Sequence, residues 1–176
     1  MITLVLGGRR SGKSAWAEDL ALDSRRQELV YIATCSNSDS SMGGRIHAHQ
    51  ERRKNQKRNW TLIEEPLRLS EVMSNADALK AGRLLFIDCI TLWLSNLLEN
   101  EAESEIKHKI SELCQALGKL QNDAIIISNE VGMGLAPATE LGNKFIDLAG
   151  FANQELARVA DEVAFIAAGL PIYLKK

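Results

Sequence analysis

A glycine-rich octapeptide near the amino terminus constrains the fold of this chain more than any other feature. Its sequence is G-G-R-R-S-G-K-S, and it lies between the apolar run Ile2–Leu6 and a helical pattern that extends to about Leu22. A strand, such an octapeptide and a helix in this order form the P-loop, or Walker A motif, which binds nucleoside triphosphates through backbone N–H groups and a helix N-terminus. The residues of this predicted phosphate site are Gly7, Gly8, Arg9, Arg10, Ser11, Gly12, Lys13 and Ser14.

Two residues of the octapeptide have specific expected roles. Lys13 is expected to bridge the β- and γ-phosphates of ATP or GTP, and Ser14 to bind Mg²⁺ through its hydroxyl. An acidic second Mg²⁺ ligand is also expected, and Asp88, at the end of an apolar run, fits this Walker B role. Asp88 could instead cap the helix that follows it, and one side chain could do both. The strand and helix around the octapeptide disfavour the alternative of a fortuitous glycine-rich turn.

Short apolar runs alternate with helical patterns along the rest of the chain, which is typical of strands buried on both faces of a parallel sheet. The predicted strands are Ile2–Leu6, Leu29–Ala33, Leu84–Asp88, Ala124–Ser128, Glu162–Ala167 and Ile172–Leu174. The predicted later helices are Met42 to about Lys57, Leu67–Leu79, Ile106–Leu120 and Thr139–Ala160. We therefore predict an α/β fold of the P-loop NTPase (RecA-like) type. It would be a three-layer sandwich with a mostly parallel central sheet and an antiparallel strand at its C-terminal end.

Length and composition limit the classes of protein to which the chain can belong. Its 176 residues suffice for a single catalytic domain, 1–176, but hardly for two domains. The net charge of −2 gives no general attraction for nucleic acid. Three cysteines without a C-x-x-C pair argue against a disulfide framework or a structural zinc site. Since no secretory signal and no apolar run of ~20 residues is visible, we expect a cytoplasmic enzyme without a membrane span.

A basic stretch contains two of the three histidines. On a helix, Arg45, His49 and Arg53 would share one face, because they are spaced i, i+4, i+8. His47 would point about 200° away from His49. Flanking guanidinium groups favour the neutral, nucleophilic imidazole and could hold a triphosphate against it, which suggests covalent attack of His49 on phosphorus. From these residues alone, a solvated basic helix with an incidental histidine is the favoured interpretation.

Several motifs occur in a defined order along nearly the whole chain. They are G-G-R-R-S-G-K-S, Tyr31-Ile32-Ala33-Thr34, Arg45-Ile46-x-x-His49, Trp60-x-x-x-Glu64, Asp88-Cys89-Ile90-Thr91, Asn129-Glu130-Val131-Gly132-Met133-Gly134 and Gly150-x-x-Asn153-Gln154. With them, the chain resembles the bifunctional adenosylcobinamide kinase/adenosylcobinamide-phosphate guanylyltransferase family of cobalamin biosynthesis. A P-loop alone is widespread, but a P-loop followed by R-I-x-x-H and N-E-V-G-M-G is highly specific.

The resemblance implies two reactions and a role for one histidine. The enzyme would phosphorylate adenosylcobinamide with ATP or GTP. It would then transfer GMP from GTP to adenosylcobinamide phosphate, giving adenosylcobinamide-GDP and pyrophosphate through a guanylylated histidine. The R-I-x-x-H spacing assigns this nucleophile to His49, which reverses the preference for an incidental histidine. The implied guanine nucleotide site adds Ala33, Thr34, Cys35, Gln50, Glu51, Arg52, Arg53, Glu64 and Asp88. The resemblance also implies a homotrimer.

Other motif residues receive no place in the predicted site. Glu130 could orient a substrate or a metal-bound water, or it could belong to an ordinary strand-to-helix turn. Asn153 and Gln154 lie within a predicted helix, where amides more often bridge neighbouring backbone groups than bind a ligand. Lys144 stands where many relatives carry arginine.

Two other classes of protein have to be weighed against the bifunctional enzyme. A monofunctional small-molecule kinase would use the P-loop alone, and the presence of His49 with Arg45 and Arg52 argues against it. A RecA-like nucleic-acid-binding ATPase would need a basic surface. The mildly acidic charge and the short chain argue against this second class.

Overall fold

Seven strands form one sheet in the part of the chain that the structure describes. The computed structural model describes residues 1–35, 60–74 and 82–176. Its strands are β1 (Ile2–Leu6), β2 (Glu28–Ala33), β3 (Trp60–Glu64), β4 (Arg83–Asp88), β5 (Asp123–Ile127), β6 (Glu162–Ala167) and β7 (Leu170–Lys175). Its helices are α1 (Lys13–Asp23), α2 (Leu69–Ser74), α3 (Ile90–Leu98), α4 (Glu103–Gly118) and α5 (Glu140–Val159).

The strands are ordered β3-β2-β4-β5-β1-β6-β7 across the sheet. All neighbours are parallel except β6 and β7, which form an antiparallel hairpin. Near the centre of the sheet, Leu4 of β1 lies opposite Ile126 of β5 and Val163 of β6. The predicted mostly parallel sheet with an antiparallel last strand is confirmed. Because parallel strands end at the same edge, the loops that follow β1 to β5 lie together along one carboxyl edge.

Alternate side chains of the inner strands pack into two separate cores. In β2, Val30 and Ile32 belong to the core that includes residues of α2 to α5. Leu29 and Tyr31 belong to the other core, with residues of α1. Full burial of such a side chain stabilises the fold by about 1.5–3 kcal/mol. Burial on both faces explains why these strands are continuous apolar runs, and the two cores produce the three layers that the sequence predicts.

The boundaries of α1, α4 and α5 agree with the predicted ones to within about one turn. Thr139 is the N-cap of α5, where its Oγ1 accepts a hydrogen bond from the Gly142 N–H at 3.1 Å. Helix α4 begins at Glu103, earlier than the predicted start at Ile106. Glu103 and Glu105 lie in its first turn, where carboxylates interact favourably with the helix dipole. Hydrophobic spacing alone does not reveal this polar turn.

Strand β3 is the element that the sequence analysis missed. Its side chains are half-buried or exposed, and in the described residues it pairs with β2 alone. An edge strand of this kind lacks the continuous apolar run that identifies an inner strand. The predicted helix from Met42 to about Lys57 and the last part of Leu67–Leu79 lie outside the described residues.

Cys89 and Cys114 are buried, and neither forms a disulfide. Across residues 1–35, 60–74 and 82–176, no helix has the length and apolar character needed to cross a bilayer.

Candidate functional site

The P-loop joins the end of β1 to the start of α1. Gly12 is the N-cap of α1 with φ 93°, a left-handed conformation that glycine adopts without strain. The loop is closed by a hydrogen bond from the Ser11 N–H to the Gly8 carbonyl at 3.2 Å. The Lys13 side chain is 8% exposed, and its Nζ donates to the same carbonyl at 3.2 Å. The predicted strand, loop and helix are therefore present, with the ammonium group held over the loop.

The turn between β6 and β7 supports the P-loop from one side. The Gly169 N–H donates to the Ser11 carbonyl at 2.8 Å. A Cβ added at Gly7, where φ is 155°, would lie 2.6 Å from the Ile166 carbonyl oxygen. A Cβ added at Gly12 would lie 3.0 Å from the Gly169 Cα. Both glycines are required because the hairpin backbone approaches the loop so closely.

Two further features of the loop fit phosphate binding. The Ser11 Oγ is buried and has no hydrogen-bond partner among the described residues. A buried hydroxyl without a partner is costly, and a phosphate oxygen would relieve that cost by accepting its hydrogen bond. Arg9 and Arg10 are both exposed beside it, so the loop carries two guanidinium groups that can reach a polyphosphate.

Asp88 ends β4 at the carboxyl edge, and its side chain is half-buried. Its Oδ2 accepts a hydrogen bond from the Tyr31 hydroxyl at 2.7 Å. The N-cap of α3 is Cys89, which makes no side-chain capping bond. The helix-cap alternative for Asp88 is therefore wrong, and the carboxylate is oriented by a residue of the neighbouring strand.

Thr34 is fully buried and bonds to the segment that follows β4. Its Oγ1 donates to the Cys89 carbonyl at 2.7 Å and accepts from the Cys89 N–H at 2.8 Å. Its own N–H donates to the Asp88 carbonyl at 3.1 Å, and its carbonyl accepts from Asn96 Nδ2 at 2.7 Å. Thr34, predicted as a nucleotide contact, is thus engaged on all sides by protein groups and positions the Asp88–Cys89 segment.

Cys89 is a buried thiol next to the candidate metal ligand. Burial raises its pKa to about 11, and the negative charge of Asp88 contributes in the same direction. The thiol lies 3.2 Å from Thr91 Oγ1, which in turn accepts a hydrogen bond from Asn129 Nδ2 at 2.5 Å. Because burial disfavours the thiolate, the position fits a packing role for Cys89 rather than a nucleophilic one.

Asn153 connects α5 to the end of β5. Its Oδ1 accepts from the Ser128 hydroxyl at 2.6 Å, and its Nδ2 donates to the Asn129 carbonyl at 3.2 Å. Gln154 donates to the Gly150 carbonyl within the helix at 3.3 Å. Gln154 thus bridges neighbouring backbone as predicted, whereas Asn153 bonds to residues that are distant in the sequence. The network of Thr91, Asn129 and Asn153 was missed as a unit, although each residue occurs in a quoted motif.

The described site residues fall into two groups along the carboxyl edge. The P-loop follows β1, and Asp88 ends β4, two strands away. Ala33 ends β2, the strand beyond β4, and is in register with Asp88 on one side and with Glu64 of β3 on the other. With strands ~4.8 Å apart, the end of β3 at Glu64 is roughly 19 Å from the end of β1. One phosphate group cannot contact both the P-loop and Glu64. The P-loop and the end of β3 are therefore two ends of an extended site.

Two predicted site residues lie at the surface, and others lie outside the described residues. Glu64 is exposed at the end of β3, and Cys35 is partly exposed just after β2. The predicted residues Arg45, His49, Gln50, Glu51, Arg52 and Arg53 lie outside the described residues.

The donor set fits a Mg²⁺ ion that is shared with a nucleotide. Ser14 and Asp88, both half-buried, lie at the same edge of the sheet and offer a hydroxyl and a carboxylate, which are hard oxygen ligands. The described part of the chain contains no group of three or more histidine, cysteine or acidic residues placed to hold a metal. The remaining ligands would therefore be phosphate oxygens and water, as is usual for Mg²⁺ in kinases.

A glycine-rich loop between β1 and α1, at the carboxyl edge of a mostly parallel sheet of this order, defines the chain as a P-loop NTPase. Solved structures share this fold. A structural-study target from Pyrococcus horikoshii aligns with a TM-score of 0.61 and 10% identity, over 99% of this chain and 86% of that chain. A KaiC-like protein of the same organism aligns with a TM-score of 0.52 and 14% identity, over 93% of this chain and 69% of that chain. The RadB recombinase aligns with a TM-score of 0.50 and 15% identity, over 93% of this chain and 73% of that chain.

Sequence comparison places the chain within this class. The profile of the family described as cobinamide kinase / cobinamide phosphate guanyltransferase matches residues 3–174, and the chain belongs to that family. The bifunctional adenosylcobalamin biosynthesis protein CobP of Pseudomonas aeruginosa is 41% identical over 99% of this chain and 98% of its own length. The proteins named CobU of Escherichia coli and Salmonella typhimurium are 33% and 35% identical, over 99% of this chain and 100% of their lengths.

Proposed function

We propose that this chain catalyses two consecutive reactions on one substrate. It phosphorylates adenosylcobinamide with ATP or GTP, and it then transfers GMP from GTP to adenosylcobinamide phosphate. The observation that carries the proposal is a complete P-loop within a chain that the family profile matches over residues 3–174. The relatives named bifunctional adenosylcobalamin biosynthesis proteins match over nearly their whole lengths, so both activities fit within one such chain.

In the kinase step, the hydroxyl oxygen of the aminopropanol arm attacks the γ-phosphorus, a nucleoside diphosphate leaves, and the hydroxyl proton is released to solvent. The P-loop holds the triphosphate, and Lys13 neutralises the charge that develops between the β- and γ-phosphates. Mg²⁺, held by Ser14 and Asp88, would supply further charge neutralisation at the same phosphates. Catalysis of this kind consists of positioning and electrostatic stabilisation, which the fixed loop is suited to provide.

In the guanylyltransferase step, a ring nitrogen of His49 attacks the α-phosphorus of GTP, and pyrophosphate leaves. A phosphate oxygen of adenosylcobinamide phosphate then attacks the same phosphorus, which breaks the nitrogen–phosphorus bond and restores His49. Support for His49 comes from the sequence alone, through its R-I-x-x-H motif and the arginines around it. Gln50, Glu51, Arg52 and Arg53 are proposed to line the guanine nucleotide, together with Ala33, Cys35 and Glu64.

Incubation of the purified protein with α-³²P-GTP and Mg²⁺ tests the covalent step directly. Label is expected on the wild-type protein and on His47→Ala, but not on His49→Ala. The adduct should be labile in acid and durable in alkali, as expected of a phosphoramidate. Kinase activity toward adenosylcobinamide should persist in His49→Ala, because that step requires the P-loop and no histidine nucleophile. Label on His49→Ala, or an acid-stable adduct, would exclude His49 as the nucleophile.

We further propose that the chain acts as a single catalytic domain, in the cytoplasm, as a homotrimer that does not bind nucleic acid. The family resemblance supports the trimer, and the net charge of −2 supports the absence of nucleic-acid binding. Light scattering on a size-exclusion column would measure the oligomeric mass. Filter binding of DNA at several salt concentrations would detect nucleic-acid affinity.

A further inference from the structure

We propose that the loop between β5 and α5, residues 128–139, is the docking surface for the corrin ring of the substrate. Met133 and Leu135 would contact an apolar part of the macrocycle and place its aminopropanol arm beside the P-loop. The proposal rests on the function proposed above and names the surface that recognises the larger part of its substrate.

Three large apolar side chains lie exposed on or just after this loop. Leu135 is 98% exposed, Met133 is 79% exposed, and Leu141, at the start of α5, is 61% exposed. Among the large hydrophobic residues that the structure describes, Leu135 has the greatest exposure. Apolar side chains concentrated in so short a segment indicate a binding surface more strongly than single scattered ones do.

The loop adjoins the place where the γ-phosphate would be transferred. The Glu130 N–H donates to the Gly7 carbonyl at 3.1 Å, so the start of the loop is bonded directly to the first residue of the P-loop. The hydroxyl acceptor must come within a few ångströms of the γ-phosphorus, and the corrin ring is attached to it through a short arm. A surface for the ring is therefore needed beside the P-loop, and this loop is bonded to it.

The first half of the loop is fixed by polar contacts. The Asn129 side chain donates to Thr91, and the Asn129 carbonyl accepts from the buried Asn153. Glu130 Oε1 accepts from the Gly132 N–H at 2.8 Å. The two Asn129 bonds tie the start of the loop to α3 and α5, and the Glu130 bond closes a turn within the loop just before Met133.

The second half is fixed against the first turn of α5. Asn143 Nδ2 donates to the Pro137 carbonyl at 3.2 Å and to the Thr139 carbonyl at 3.0 Å. Gly142 packs so closely that an added Cβ would lie 2.6 Å from Pro137 Cβ. Leu135 is therefore presented between two anchored segments. Because both flanks are held, a ligand that covers Leu135 orders fewer residues than it would in a loop without such bonds.

The chemistry of the surface suits a corrinoid better than a nucleotide. A corrin ring is broad and carries methyl groups between the amide side chains of its rim, so its apolar parts can cover exposed leucine and methionine side chains. A triphosphate or a ribose requires polar donors, which the side chains of Met133 and Leu135 lack. A second copy of this chain is the alternative occupant, and the experiment below separates the two.

The test measures the Kd of full-length protein for adenosylcobinamide by titration calorimetry. Steady-state kinase assays give the KM and the kcat of the same proteins. The variant Met133→Ser/Leu135→Ser should raise the Kd and the KM for adenosylcobinamide by roughly tenfold or more, since it removes two apolar contacts. The Kd for ATP and the kcat should stay within about twofold, because the P-loop is untouched. Leu174→Ser is the matched control. Leu174 is 62% exposed on β7, where its neighbour Lys175 pairs with Val163 near the amino end of β6, away from the P-loop.

Each outcome decides between the possibilities. An unchanged Kd for adenosylcobinamide in the double variant would overturn the docking surface while leaving the proposed function intact. A change in oligomeric mass with an unchanged Kd would overturn it in favour of a subunit contact. Wild-type protein that neither binds nor phosphorylates adenosylcobinamide would instead refute the proposed function itself, and the docking surface with it.

Discussion

The Tyr31 hydroxyl donates a hydrogen bond to Asp88 Oδ2 at 2.7 Å, across the neighbouring strands β2 and β4. The Tyr31 ring is 5% exposed and stacks on Phe86, with 5.3 Å between the ring centroids. Since the ring is fixed by this packing, the hydroxyl can hold only a narrow range of carboxylate orientations. Tyr31 is thus a positioning residue for the candidate Mg²⁺ ligand.

We expect Tyr31→Phe to raise the Mg²⁺ concentration needed for half-maximal kinase activity by roughly three- to tenfold. The change removes one hydrogen bond to a charged group and leaves the aromatic packing in place. A Mg²⁺ titration of kinase activity at saturating ATP would measure the shift. Asp88→Asn is the reference variant and should show a larger one. If Asp88→Asn shifts the titration and Tyr31→Phe does not, the tyrosine has no positioning role.

Lys13→Ala should weaken triphosphate binding and slow both reactions together. The lost charge-assisted contact is worth about 1.5–3 kcal/mol, or roughly 10- to 150-fold in affinity. Calorimetric titration with ATP and with GTP would give the affinities. The exposed Lys119, at the C-cap of α4, provides the control variant Lys119→Ala, which should bind as the wild type does. Normal kinase activity in Lys13→Ala would contradict the Walker A assignment.

Gly7→Ala should destabilise the folded chain even without nucleotide, by about 1–3 kcal/mol. The new methyl group would lie within 2.7 Å of both the Ile166 carbonyl oxygen and the Ser11 hydroxyl. Gly8→Ala is the matched control, since no atom lies within 4 Å of its added Cβ. Its free energy of unfolding should stay within about 1 kcal/mol of the wild type. Urea denaturation would compare the three proteins, and equal losses at both glycines would refute the steric explanation.

Stability should fall as the pH rises from 8 to 10, in part because of Cys114. Burial raises the pKa of this thiol from 9.0 to about 11. In that window the unfolded chain loses the thiol proton while the folded chain retains it, so ionisation favours unfolding. Between pH 8 and pH 10 the contribution is about 1 kcal/mol. Cys114→Ala should therefore lose less stability over this interval than the wild type, as measured by denaturant titration. Parallel losses in the two proteins would contradict the shifted pKa.

Much of the fold could be predicted because its information is local. The run Ile2–Leu6 and the octapeptide after it specify a buried strand, a loop and a helix start without reference to the rest of the chain. The same holds for α5, where Thr139 is a recognisable N-cap. Strand β3 could not be predicted in this way, because an edge strand with exposed side chains leaves no periodic pattern.

The candidate site could be predicted as a set of residues but not as an arrangement. The bonds of Thr34 to Cys89 join residues 55 positions apart, and they depend on the register between β2 and β4. Similarly, nothing in the sequence around Tyr31 shows that its hydroxyl meets Asp88. Such contacts follow from strand order, which a single sequence does not encode in any local pattern.

The strand order also determines when the nucleotide site can form during synthesis. Among the described strands, β1 pairs with β5 and β6 alone, so Ile2 can pair only after Ala124 has been synthesised, and Thr3 only after Glu162. Strand β1 is synthesised before both of its partner strands, and the Ser11 carbonyl acquires its partner Gly169 later still. Forming contacts over such long separations makes folding slow. A growing chain that lacks the hairpin of β6 and β7 therefore lacks the backbone contact that supports the P-loop, so we expect ATP or GTP to stabilise it less than the complete sheet.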